Sequence, residues 1–134
     1  MAFELFVNGT LMRGFALHAN LHGADFLGEV RTAPRYRLYS INDRHPGMFE
    51  IGPGGVSVTG ELYRVTEQIW RRVKAGEPPG LYRGRVRLAD GRGVRGILYP
   101  RKLAEERYRD ISEYGGWRAY WTTRHAEGLP APSE

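Results

Sequence analysis

"LFVNGTLMRG", residues 5–14, decides how the rest of the chain is read. An apolar run meets an asparagine and a glycine, then a polar, turn-prone segment. Three readings compete for it. Asn8-Gly9-Thr10 spells an N-glycosylation acceptor. Asn-Gly is also the strongest two-residue hairpin signal. Third, a loop that follows a strand and is rich in free backbone groups can hold a polar or anionic small molecule.

The flanking sequence separates them. "MAFELFVNG" has no basic segment followed by a long apolar run, and no stretch nears the roughly 20 apolar residues that a membrane span requires. The expectation is a cytoplasmic protein without membrane contact, in which Asn8 meets no glycosylating compartment. A hairpin requires a returning strand. "FALHANLHGA" (15–24) instead places Phe15, Leu17 and Leu21 at near-helical spacing and predicts a short helix. The ligand loop is the reading left standing.

Length and composition bound what such a loop can serve. The 134 residues suit one domain with a real core, set here at 1–124 with 125–134 as a flexible tail. Without cysteine there is no disulfide, no thiolate zinc site and no thiol nucleophile. Residues 1–67 hold 6 Arg against 7 Asp and Glu, leaving 14 Lys and Arg against 8 acids in 68–134. A basic half suggests nucleic acid. Yet 18 of the 20 basic residues are arginine, and Arg83, Arg85 and Arg87 alternate as on the solvated face of a sheet. No nucleic-acid partner is expected.

"FELFV" (3–7), "FLGEVRT" (26–32), "YRLYSI" (36–41), "VSVTGELYRV" (56–65), "LYRGRVRL" (81–88) and "GVRGILYP" (93–100) read as strands, with "MFEI" a brief one after a loop at 43–47. Gly60 inside a strand marks a bulge or a close backbone approach. Thr66 is placed to cap a helix through "EQIWRRVKA", with Gly76 as its stop. Asp90-Gly91 turns a hairpin, and "KLAEERYRDISEYGGWRAYW" offers one or two short helices. The expected fold is α+β, a small mixed β-barrel of about six strands, closed or half-closed, with a few short helices.

Few side chains read as chemistry. "GRGVRG" (91–96) matches the dinucleotide fingerprint in letters, but it lies in a hairpin and runs into a strand, which excludes that use. His18 and His22 sit four apart without a third ligand, so no metal is expected, and no cofactor either. Ser40, Ser57 and Ser112 lack a nucleophile-elbow context. Glu61 on its strand reads as structural or as a pocket wall.

Glu77 is different. It follows the helix stop and precedes Pro78-Pro79, which fix the backbone, and Gly80, which releases it. A carboxylate held there in an aromatic-lined mouth would be desolvated towards the range useful for acid–base work; a solvated loop glutamate is the plainer alternative. Tyr36, Tyr39, Tyr63, Tyr82 and Tyr99 recur on the strands, as core or as cavity phenols.

Taken together, "FVNGTLMRG", "FLGEVRTAPRYRLYS", "HPGM", "GVSVTGELYRV" and the 77–82 stretch resemble, in order, the gamma-glutamylcyclotransferase-like superfamily over about residues 3–100. Its first loop is usually YGTL or YGSL with a glycine soon after, so Asn8 stands where a tyrosine is usual. The segment "DISEYGGWRAY" (110–120), with "RTAPRYRLY", more closely resembles the C-terminal domain of allophanate hydrolases, which shares the fold.

The first resemblance implies an enzyme on a small gamma-glutamyl amine or peptide. The substrate's α-amino group attacks its own γ-carbonyl, giving 5-oxoproline and a free amine. Glu77 would move the proton, the backbone of Asn8, Gly9, Thr10 and Leu11 would hold the substrate, and Tyr82 and Tyr99 would line the pocket. A homodimer is compatible with it. The second resemblance implies a binding or assembly module, or a domain acting on a carboxylated urea.

Overall fold

The computed structural model describes residues 2–126. The expected tail at 125–134 lies outside them, except for residues 125 and 126, which end the last helix.

Strands β1 (Ala2–Val7), β2 (Asp25–Arg31), β5 (Thr59–Thr66), β6 (Tyr82–Arg87) and β7 (Gly93–Leu98) form one sheet in the order β2-β5-β1-β7-β6. A second sheet, β4-β3-β8, contains β3 (Tyr36–Ile41), β4 (His45–Glu50) and the two-residue β8 (Arg109–Asp110). All pairings are antiparallel except β1 with β7. Helices α1 (Glu67–Ala75), α2 (Arg101–Arg107) and α3 (Trp117–Ala126) complete the α+β class.

The sheets do not make a closed barrel. The larger one curls until its edges touch at a single bridge, Thr32 to Leu88, backed by Ala33 N–H to the Arg87 carbonyl at 2.9 Å. Eight strands therefore replace the six or so expected.

The difference begins at "HPGM". A proline and a glycine suggested a loop at 43–47, yet His45–Glu50 is a strand. Proline is tolerated because β4 is an edge, where one row of backbone groups has no partner strand. The turn before it uses Asn42 and Asp43 at φ 57° and 56°, the left-handed region these residues adopt most readily among non-glycines.

The expected helix over 15–24 is a chain of turns with one short 3-10 segment, His18–Leu21. Its only buried side chain is Leu21, and one anchor gives a helix no apolar stripe to bury. Helix α1 forms as read. Thr66 Oγ accepts from the Ile69 N–H at 3.2 Å, and Ile69, Trp70 and Val73 are buried. Gly60 marks a close approach: a Cβ there would lie 2.4 Å from the Val7 carbonyl oxygen. The register irregularity falls instead at Gly28 of β2.

Leu5, Leu38, Val58, Val65, Val86 and Trp117 lie at the centre of the core and are fully buried. A smaller cluster of Ile41, Phe49, Tyr99 and Ala104 lies beside it under α2.

Candidate functional site

The site begins where β1 ends. After Val7 the chain leaves the sheet, and the Met12 N–H closes a turn on the Gly9 carbonyl at 3.0 Å. Leu17 N–H reaches back to the Thr10 carbonyl at 2.9 Å. The amides of Gly9, Thr10 and Leu11 donate to no acceptor among the described residues. Gly9 is required by packing: a Cβ would sit 2.6 Å from Pro46 Cδ.

Glu61 fixes this loop from below. Its carboxylate is 1 % exposed and accepts from the Arg13 N–H (3.0 Å), Arg13 Nε (3.1 Å), the Tyr63 hydroxyl (2.9 Å) and Arg118 Nη2 (3.1 Å). Burial alone would push its pKa up, but the Arg13 N–H, the Tyr63 hydroxyl and the Arg13 guanidinium hold it below the ordinary carboxylate value. Burial, together with the hydrogen bond to the Glu61 carboxylate and its charge, pushes the Tyr63 phenol well above its usual range. Glu61 is therefore structural.

Glu77 stands in the opposite condition. Its Oε1 is fully buried with no hydrogen-bond partner among the described residues. Burial raises its pKa, opposed weakly by the Lys74 charge. It lines a narrow recess together with Asn8, Gly9, Thr10 and Leu11, walled by Val7, Leu17, Val73, Pro78, Leu81 and Ile97. A residue with an unpaired carboxyl oxygen thus lines the same recess as three residues whose amides have no acceptor among the described residues. At about 30 Å³ the recess holds about two waters, and so the few atoms of a carboxamide.

The other residues singled out in the sequence divide. Asn8 is buried and its Nδ2 donates to Met48 Sδ at 3.3 Å. Tyr99 is buried beside the recess in a wider outer cleft. Gly47 and Gly80 make room for its ring, since a Cβ on either would fall within 2.9 Å of it. Tyr82 is 46 % exposed on β6 and lines neither cavity. His18 is tied to the loop, Nδ1 lying 2.9 Å from the Leu11 carbonyl oxygen.

His45 was not singled out, because a histidine before proline reads as loop. It is 7 % exposed and lines both the recess and the outer cleft. Burial lowers its pKa, only partly offset by the Pro46 carbonyl, which its Nδ1 meets at 3.0 Å. A neutral ring with Nδ1–H so engaged offers Nε2 as an acceptor.

Comparison with known proteins places the whole assembly. The family model of the allophanate hydrolase C-terminal domain matches residues 3–122. The chain belongs to the allophanate hydrolase C-terminal domain family. Among similar solved structures, a uropathogenic Escherichia coli-specific protein is 43 % identical, covering 90 % of this chain and 95 % of that one at a TM-score of 0.84. Urea amidolyase of Saccharomyces cerevisiae is 26 % identical along an alignment 132 positions long, which covers 90 % of this chain but only 7 % of that protein. A solved gamma-glutamyl cyclotransferase shares the fold alone: it is 15 % identical, with 97 % of this chain and 82 % of that one covered at a TM-score of 0.52. Both resemblances drawn from the sequence thus meet in one fold, and this allophanate hydrolase C-terminal-type domain has the architecture of a cyclotransferase. No helix among the described residues is long and apolar enough to cross a membrane.

Proposed function

We propose that this domain is a gamma-glutamylcyclotransferase-type enzyme acting on a small gamma-glutamyl amine or peptide. The observation that carries the reading is the half-buried Glu77, whose Oε1 is buried and unpaired, lining one recess with Gly9, Thr10 and Leu11, whose amides have no acceptor among the described residues.

Glu77 in its ionised form takes a proton from the substrate's α-ammonium group. The freed nitrogen attacks the γ-carbonyl carbon, forming a C–N bond and a five-membered ring. Charge gathers on the carbonyl oxygen, where the loop amides donate; losing one such donor typically costs about 3 kcal/mol. The tetrahedral centre collapses as Glu77 returns its proton to the departing nitrogen, breaking the old C–N bond; the ring nitrogen's second proton follows by way of the same carboxylate, so the amine departs as an ammonium. 5-Oxoproline and an amine leave. Attack within one molecule supplies the proximity advantage, so one proton carrier suffices. The raised pKa of Glu77 suits both halves of that task.

A panel of gamma-glutamyl amides and peptides assayed for 5-oxoproline tests the reading. Turnover of any member that is lost in Glu77→Gln supports it, and full activity in that variant refutes the mechanism. The family match favours a second reading: a domain working beside an amidase on a carboxylated urea, or binding it. Decarboxylation of such a compound, or stable association with an amidase and no 5-oxoproline from the whole panel, would support that alternative.

A further inference from the structure

The recess holds only the reacting end of a substrate, so the remainder must lie outside it. The outer cleft, about 630 Å³, adjoins the recess, with Thr10, Leu17, His45 and Pro78 lining both. Its walls carry Tyr99 and Tyr108, whose rings meet edge to face at 6.2 Å, and the apolar Leu103 and Ile41. Arg44, just past the β3–β4 turn, and Arg107, at the end of α2, complete it. No aspartate or glutamate among the described residues lines this cleft. Neither arginine forms an ion pair among the described residues.

Two uncommitted guanidiniums on an aromatic, acid-free cleft define a chemical class of ligand. We infer that the outer cleft binds the leaving group, and that this group is an amine with an apolar or aromatic body ending in an anion such as a carboxylate. The body lies against Tyr99, Tyr108 and Leu103 while Arg44 and Arg107 meet the anion. The term leaving group rests on the cyclotransferase reading; the anion subsite does not.

Phenylacetate and its neutral counterpart phenylacetamide, titrated by amide NMR into the full chain, read the subsite directly. Phenylacetate is expected to shift the amides of Thr10, Gly76, Gly80 and Arg107 and to bind about tenfold more tightly than the amide; Arg44→Ala and Arg107→Ala should each weaken it about threefold and together erase the preference, as suits exposed charges. Equal binding of the two probes, no saturable binding, or an unchanged preference in the double variant overturns the subsite. A kinetic arm compares gamma-glutamylphenylalanine with gamma-glutamylphenethylamine, the carboxylate substrate being favoured about tenfold in kcat/KM until both arginines are removed. If the carboxylate probe binds as expected but neither amide is turned over, the cyclotransferase reading fails and the anion subsite stands. If both amides react equally well and the probes bind alike, the subsite fails and the enzyme reading stands.

Discussion

In the proposed mechanism Glu77 carries the chemistry through an imbalance. A half-buried carboxyl with a raised pKa binds its proton more tightly in the folded chain than in the unfolded one. Below the unfolded carboxyl's pKa the group is neutral in both states; as pH rises through the higher folded value a charge must be held in the recess, and stability is lost. Glu77→Gln is therefore expected to raise Tm at neutral pH and to change it little under acid conditions, as thermal unfolding across pH will show. The same substitution should lower kcat by about 10²–10⁴-fold, the usual worth of a positioned acid–base group. Under the proposed mechanism the acid limb of the unmodified domain's rate profile should sit above the ordinary carboxylate range. The residue was legible because two prolines and a glycine bracket it locally. His45 was not, since its burial depends on Tyr99 and on the recess, which come together only in the folded chain.

At the scale of elements, the 8–14 segment is a loop held from three sides: by Pro46 against Gly9, by His18 at the Leu11 carbonyl, and by Glu61 through Arg13. Gly9→Ala should drive a Cβ into the proline ring, costing about 1–3 kcal/mol and spoiling the amide array, so Tm and turnover should fall together. Glu61→Ala strands the Arg13 N–H, the Tyr63 hydroxyl and two guanidiniums. Because the guanidiniums stay half-exposed, the loss should fall at the low end for a broken buried pair, about 3 kcal/mol in denaturant unfolding. Its depressed pKa gives the opposite pH signature to Glu77: the contribution is present above the unfolded carboxyl's pKa and disappears as pH falls through the folded one. The turn signals were readable in the sequence here because glycine and proline act locally. Tyr82 misled because strand alternation says that a side chain faces one side of a sheet, not which side carries the cavity.

Across the molecule, α3 ties the two walls of the site together. Arg118 donates to the Arg13 carbonyl at 2.9 Å on the loop side, while the Tyr120 hydroxyl donates to Asp43 at 2.5 Å on the hairpin that leads into Arg44 and His45. Trp117, fully buried with its ring against that of Tyr120, anchors the helix. Trp117→Ala should cost about 3–5 kcal/mol and loosen both walls, lowering Tm and the affinity for any bound ligand in parallel calorimetric measurements. The class and most strands of this fold were readable from periodicity. The sheet order was not, because it depends on which distant strands pair.

One such pairing governs how the chain can fold at all. Strand β1 is the centre of the larger sheet, yet its partners come far later: Ala2 pairs with Thr66 and Leu5 with Arg95. No hairpin can nucleate it, and the loop-closure entropy of both contacts must be met before either is rewarded. Refolding is therefore expected to be slow for the chain's size and single-exponential, and a fragment ending before β7 should stay without a formed sheet.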